Sequence, residues 1–291
     1  MNDSSSSRPR LSFEFFPPRS ASGADSLSRV AGRLAELAPD FFSCTYGAGG
    51  STRDGTRETI RQLLDLGLPA APHLSIGADD QDRVFAMLDD YRNMGVRRIV
   101  ALRGDVPSGS GRSRFVHNAE TLVRWIREHS GDHFHLEVAA YPEVHPDARD
   151  AEDDLAFFGA KVAAGADSAI TQYFYSPYAY YDFVERCAAA GIEVPIVPGI
   201  MPITNYDGII RFSEKCGADV PRWLRRRMES LKDDDKALKD FGVEVVTRLC
   251  DDLLAAGAPG LHFYTLNRWG ASLAICRNLG LDRQIAADRA S

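Results

Sequence analysis

A single (β/α)8 barrel is the fold class that this 291-residue sequence predicts, on three observations. Six amphipathic stretches each end at a glycine (Gly67, Gly95, Gly131, Gly165, Gly191 and Gly257), and a short apolar run follows each within a few residues. These runs are apolar on both faces, as strands of a parallel sheet covered by helices must be. With two earlier runs they number eight, enough to close the sheet on itself.

The chain opens with Met1-Asn2-Asp3 and four serines, so residues 1–10 read as a disordered tail, and they lack the apolar core of a secretory signal. Strand one is Leu11–Phe16, and Leu27, Val30, Leu34 and Leu37 then fall on one helix face. Strands two and three are Phe41–Tyr46 and Pro72–Ile76, followed by a helix bearing Val84, Met87, Leu88 and Tyr91 on one side. Strands four to eight are Arg98–Leu102, Phe134–Ala140, Ser168–Thr171, Val194–Val197 and Leu261–Tyr264. Glycine is favoured just past a helix end because that position often needs positive φ. The first five glycines recur at about the length of one strand–helix unit, whereas the gap from Gly191 to Gly257 is about double. The doubled gap predicts an insertion, the charged stretch near 220–235, inside one catalytic barrel domain of residues 11–291. A doubly wound sheet binding a dinucleotide would ordinarily bring a G-x-G-x-x-G turn, and the sequence has none.

The net charge of −7 argues against nucleic acid or an anionic membrane surface as the main partner. No apolar run reaches the length of a membrane span, which points to a cytoplasmic protein. Five scattered cysteines without a C-x-x-C pair make neither a disulfide framework nor a zinc site. They read as small core residues, Cys44 included, although it adjoins candidate site positions. No His/Asp/Glu set has metal-ligand spacing, so no metal is predicted.

Chemistry in such barrels sits at the C-terminal ends of the strands, and there the polar residues collect. Glu14 stands in strand one among phenylalanines, where burial should raise its pKa and suit it to act as a general acid; a structural ion pair is the alternative. Strand two ends in Thr45-Tyr46-Gly47-Ala48, and strand three carries His73. Strand four exits through Arg103-Gly104-Asp105, which suits a polar planar ring or an ordinary salt bridge. Strand five ends in Tyr141-Pro142-Glu143-Val144-His145-Pro146. Strand six exits through Gln172, whose amide matches the edge of a pterin or flavin, followed by an aromatic run that reads as packing. Strand eight ends in Thr265-Leu266-Asn267-Arg268, where Arg268 could take a carboxylate or phosphate. The residues alone thus reach a barrel whose acid-bearing pocket suits a large polar planar ligand.

Eight motifs, in this order, resemble bacterial methylenetetrahydrofolate reductases. They are Phe13-Glu14-Phe15-Phe16-Pro17-Pro18, Thr45-Tyr46-Gly47-Ala48, Ala71-Pro72-His73-Leu74, and Ala101-Leu102-Arg103-Gly104-Asp105. Next come Ala139-Ala140-Tyr141-Pro142-Glu143-Val144-His145-Pro146, Ala169-Ile170-Thr171-Gln172, Pro198-Gly199-Ile200-Met201-Pro202, and His262-Phe263-Tyr264-Thr265-Leu266-Asn267-Arg268.

The resemblance implies a ping-pong flavoenzyme that supplies methyl groups for methionine synthesis. In such an enzyme NADH (or NADPH) reduces FAD and leaves, and 5,10-methylenetetrahydrofolate then takes its place and is reduced to 5-methyltetrahydrofolate. It implies Glu14 as the acid that opens the folate ring and Asp105 as a second catalytic group near flavin and folate. Implied FAD contacts are Tyr46, Ala48, His73, Arg103, Gly104, Asp105, Ala119, Tyr141, His145, Ala148, Asp154 and Lys161, with Thr45 at the nicotinamide. Implied substrate contacts are Gln172, Phe212 and Arg268, and a homo-oligomer is implied too. Three positions depart from the family pattern: Phe157 and Ala160 replace an Asn and an Arg, and Gly208 replaces a frequent Gln. The first two predict a looser hold on FAD; the third removes a folate or nicotinamide contact. The rivals are a flavin-free barrel lyase or aldolase and a non-catalytic folate binder, separable by flavin binding and by activity.

Overall fold

The structure is a computed structural model that describes residues 8–46, 53–75, 80–103 and 118–282. The strands are β1 (Arg10–Phe15), β2 (Phe41–Cys44), β3 (Ala70–Ser75), β4 (Arg98–Leu102), β5 (His135–Ala140), β6 (Ser168–Thr171), β7 (Ile196–Val197), β8 (Gly199–Ile200) and β9 (Gly260–Tyr264). The helices are α1 (Ala21–Ala35), α2 (Arg53–Asp65), α3 (Gln81–Asn93), α4 (Ala119–Ser130), α5 (Ala151–Ala163), α6 (Pro177–Ala189), α7 (Tyr206–Cys216), α8 (Arg222–Leu231), α9 (Asp235–Ala255) and α10 (Gly270–Asn278). All pairings are parallel, in the order β7-β6-β5-β4-β3-β2-β1-β9-β8.

β7 and β8 lie at opposite ends of that order but are one strand interrupted at Pro198, so the sheet is a nearly closed barrel. The strand predicted at Val194–Val197 is therefore shorter at its start and resumes beyond the proline. Proline has no N–H for the ladder. Here its carbonyl accepts from His262 N at 3.0 Å, and the strand changes partner from β6 to β9. Gly199 is required at the switch: a Cβ would run into the Thr171 carbonyl oxygen and the Tyr264 ring. Its N–H donates to Thr171 Oγ1 at 2.9 Å.

The six glycines that ended the predicted helices all have positive φ. Strand one begins at Arg10, inside the stretch read as tail, and Arg8 already donates to the Leu37 carbonyl. The stretch 220–235 contains α8, whose Leu224 and Met228 are buried, and runs into the start of α9. Ser20, Asp80, Asn118, Asp150, Asn205 and Asp234 each cap a helix by accepting a backbone N–H. Among the described residues no helix is long and apolar enough to cross a membrane.

Strand alternation sorts the side chains into two separate apolar clusters. Leu11, Phe13, Phe15, Phe42, Leu74, Ile99, Val138 and Phe263 belong to the large cluster that joins strands to helices. Phe41, Ala71, Val100 and Ile170, with Leu102 against them, form a small cluster inside the barrel. Because successive side chains point to opposite faces, Glu14 shares its face with Ser12, away from Phe13 and Phe15. The carboxylate is therefore not set among phenylalanines, as the linear sequence suggested. Those rings pack outward on Phe42 and Phe263 at 5.5 to 5.9 Å between centroids.

Candidate active site

Glu14 is the penultimate residue of β1 and points into the upper barrel, its side chain 11% exposed. Two imidazoles face it: His73 Nε2 from β3 at 3.3 Å and His262 Nε2 from β9 at 3.6 Å. His262 is held from its other side by Ser12 Oγ, 2.7 Å from Nδ1, and its ring stacks near Phe41 at 6.1 Å. Burial drives the His73 pKa down, against a smaller upward pull from Glu14, with His262 lowering it further. Burial thus disfavours a charged imidazole at His73. Both Nε2 atoms are buried without a hydrogen bond of proper geometry. Such spare capacity is costly in a packed interior. Among the described residues, no Lys or Arg forms a salt bridge with Glu14.

The backbone around the acid is equally tied. Thr265 donates to the Glu14 carbonyl through its N–H at 3.3 Å and its Oγ1 at 2.6 Å. Tyr264, whose phenol is pushed well up by burial and then by the Glu14 charge, donates to the Thr171 carbonyl at 2.7 Å. Tyr264 and Thr265 also line a cavity of about 380 Å³ bounded by Thr204, Lys239, Ser272 and the exposed Arg268. Gln172 stands one residue beyond β6 and, with Tyr141, lines a separate small pocket of about 10 Å³.

A second polar group lies at the exits of β4 and β5 and on α5. Arg103 pairs with Asp147 at 2.6 Å, and Asp147 N donates to His145 Nδ1 at 2.9 Å. His145 N donates to Asp154 Oδ2 at 3.2 Å, and the His145 ring meets Tyr141 edge-on at 4.5 Å. Burial raises the Asp154 carboxyl against the pull of its neighbours, and burial pushes the Lys161 ammonium down to about 8 despite the Asp154 charge. Lys161 donates to the Ala139 carbonyl and lies 5.5 Å from the Phe158 ring centroid. Ala148 N donates to the His145 carbonyl at 2.9 Å, and Ala119 is the first residue of α4. The expected FAD contacts Arg103, Tyr141, His145, Ala148, Asp154 and Lys161 thus belong to one neighbourhood, whereas His73 belongs to the acid.

Thr45 and Tyr46 follow β2, with Thr45 N donating to the Phe15 carbonyl at 2.9 Å. Phe212 is half-buried on α7, and Gly208, near the start of that helix, donates its N–H to the Asn205 cap at 2.7 Å. Phe157 is 56% exposed. Ala48, Gly104 and Asp105 lie outside the described residues; among the described residues Arg103 forms a salt bridge with Asp147. The aromatic run Tyr173-Phe174-Tyr175 is buried, as packing requires, and burial pushes the Cys44 thiol up to about 12, which makes it unreactive. Reading by sequence alone missed the roles of Ser12, inside the predicted strand Leu11–Phe16, and of His262, the first residue of the last motif. The signal was available: polar residues at alternate positions, Ser12 with Glu14 and His262 with Tyr264, mark an inward polar face.

A parallel barrel with an acid at its C-terminal rim, braced by imidazoles, defines an α/β-barrel enzyme. A profile of the family described as methylenetetrahydrofolate reductase matches residues 1–280. The chain is 42% identical to the 5,10-methylenetetrahydrofolate reductase of Escherichia coli (strain K12), over 93% of this chain and 90% of that protein. It is 39% identical to methylenetetrahydrofolate reductase (NADH) 1 of Arabidopsis thaliana, over 93% of this chain but 48% of that longer protein. The chain therefore belongs to the methylenetetrahydrofolate reductase family. Among solved structures, an uncharacterized protein from Clostridium thermocellum that binds two copies of 5-methyl-5,6,7,8-tetrahydrofolic acid matches with a TM-score of 0.68. At 16% identity over 96% of this chain and 95% of that one, the likeness is one of fold.

Proposed function

We propose that this chain reduces 5,10-methylenetetrahydrofolate to 5-methyltetrahydrofolate with NADH or NADPH through bound FAD, Glu14 being the general acid. The observation that carries the reading is Glu14 itself, an inward carboxylate at the rim contacted by two imidazoles and by no guanidinium or ammonium among the described residues. A carboxylate locked to Arg or Lys would be held ionised, and Glu14 has no such partner among the described residues. In this reading Glu14 protonates the folate nitrogen whose release opens the five-membered ring. His262, held by Ser12, and His73 flank the carboxyl, Gln172 and Arg268 hold the folate, and Phe212 covers it. Asp105 is assigned its catalytic role by family likeness alone.

The residues at the β4 and β5 exits fit FAD. Arg103, Lys161 and His145 suit an anionic diphosphate, and Tyr141 offers a ring. When bound, FAD supplies a two-electron carrier between nicotinamide and folate. Phe157, exposed on α5, and Ala160 offer that cofactor no polar side chain. The purified protein should therefore lose FAD on extensive dilution, read by flavin fluorescence. Because Lys161 loses its charge as pH rises through about 8, the FAD dissociation constant should also rise from pH 7 to pH 9, roughly threefold to tenfold, on the order of 1 kcal/mol. Full retention through dilution and a flat affinity profile would count against this use of α5.

The test of function is anaerobic. NADH should bleach the bound flavin, and methylenetetrahydrofolate should restore its colour. Failure of both steps with FAD present would sink the assignment and favour a flavin-free barrel enzyme. The homo-oligomer that the resemblance implies is checked by light scattering on the same sample.

A further inference from the structure

We propose that Asn267 is a positioning residue that sets Glu14 and Arg268 at their places on adjoining strand exits; this rests on the functional reading above. Leu266 and Asn267 have φ of 51° and 56°, adjacent residues in the left-handed region. Among the described residues only two other non-glycine residues, Ala38 and Val144, have positive φ. Side chains rarely tolerate that region, so something must hold the turn. The holder is the Asn267 carboxamide. Its Oδ1 accepts from Phe16 N at 2.8 Å and its Nδ2 donates to the Phe16 carbonyl at 2.9 Å.

That pair continues the β1–β9 ladder past its last register match, Glu14 with Tyr264. The carboxamide stands where a further strand residue's N–H and C=O would be. The Asn267 N–H donates to Thr265 Oγ1 at 3.1 Å, the same hydroxyl that donates to the Glu14 carbonyl. Arg268 N in turn donates to the Thr265 carbonyl at 2.9 Å. The backbone two residues after the acid and the backbone one residue before the arginine are therefore fastened by a single side chain.

Two chemical demands coincide at this position. The side chain must offer one donor and one acceptor at short reach, and the residue must accept positive φ. Asparagine meets both. Aspartate supplies only acceptors when ionised, glutamine is a methylene longer, and glycine meets the backbone demand alone. What the clamp achieves is alignment. It keeps the acid from sliding against the cation assigned to the folate, and a displacement of about 1 Å can cost on the order of 100-fold in rate.

The test compares Asn267→Asp, Asn267→Gly and Leu266→Gly by the two half-reactions, with thermal unfolding alongside. Flavin reduction by NADH should stay within about threefold of wild type in all three. Reoxidation by methylenetetrahydrofolate should slow by about 10- to 100-fold in both Asn267 variants, with a raised half-saturating folate concentration. Leu266→Gly relaxes the turn but keeps the clamp, and should reoxidise like wild type. Equal loss of both half-reactions in the Asn267 variants, no loss in either, or a loss in Leu266→Gly matching theirs would overturn the proposal. Wild-type protein that cannot use the folate at all would instead overturn the functional reading on which it rests.

Discussion

Glu14→Gln should leave reduction of FAD by NADH within about threefold of wild type while slowing reoxidation by methylenetetrahydrofolate by roughly 10² to 10⁴. Glutamine has nearly the same shape and can keep the contacts with the two imidazoles, so the packing at the rim survives. What it lacks is a proton to give. The nicotinamide step needs no acid, and the folate step needs one to open the ring, so the two halves should separate. Stability should hold or rise, because Glu14 is largely withdrawn from water and has no cationic partner among the described residues. Stopped-flow absorbance under nitrogen measures both halves, and a denaturant titration measures the stability. Equal loss of both steps together with a fall in stability would make Glu14 a structural residue.

That separation could be anticipated from sequence only in part, and the reason is geometric. The barrel was legible because it is written in local signals: positive-φ glycines close the helices, and apolar runs mark strands covered on both faces. The break at Pro198 was less legible, since the change of partner from β6 to β9 is a property of closure and leaves no mark on the residues themselves. Glu14 was legible as an oddity but misread in its surroundings. Phenylalanines adjacent in sequence lie on the opposite face, and the true neighbours, His73 and His262, come from about 60 and 250 residues away. The group at Tyr141, His145, Asp154 and Lys161 was readable by family likeness, because one loop and one helix carry it. The Asn267 clamp was not, because its meaning is a backbone pairing across two strands.

A second feature hidden from the sequence lies at the opposite end of the barrel interior and makes the strongest prediction about stability. Arg98, the first residue of β4, pairs with Glu137 of β5 and lies over the Phe41 ring at 4.6 Å. Glu137 is buried and also accepts from Ser168 Oγ at 2.6 Å, with His135 Nε2 at 3.4 Å. Burial alone would push this carboxyl up, but the His135 hydrogen bond, the Arg98 charge and the Ser168 hydroxyl together hold it below the usual range. Arg98→Met keeps most of the volume and removes the charge, leaving Glu137 buried with an incomplete set of partners. The expected loss is about 3–5 kcal/mol at neutral pH.

The pH dependence follows from the sign of the shift. A depressed carboxyl contributes stability that is present above its unfolded value, about 4.3, and is lost as pH falls through the lower folded value. In Arg98→Met the depression is weakened, with burial opposed only by His135 and Ser168, so the folded state moves toward the protonated acid. The gap between wild type and variant should accordingly be widest near pH 7 and close as the pH falls below about 4. Adding Glu137→Gln to Arg98→Met should recover much of the loss at pH 7, since no buried charge is then left unpaired. Denaturant titrations of wild type, Arg98→Met and the double variant at pH 7 and pH 4 decide it. A loss that is the same at both pH values would mean that Arg98 acts through its packing on Phe41, and the double variant would then recover nothing.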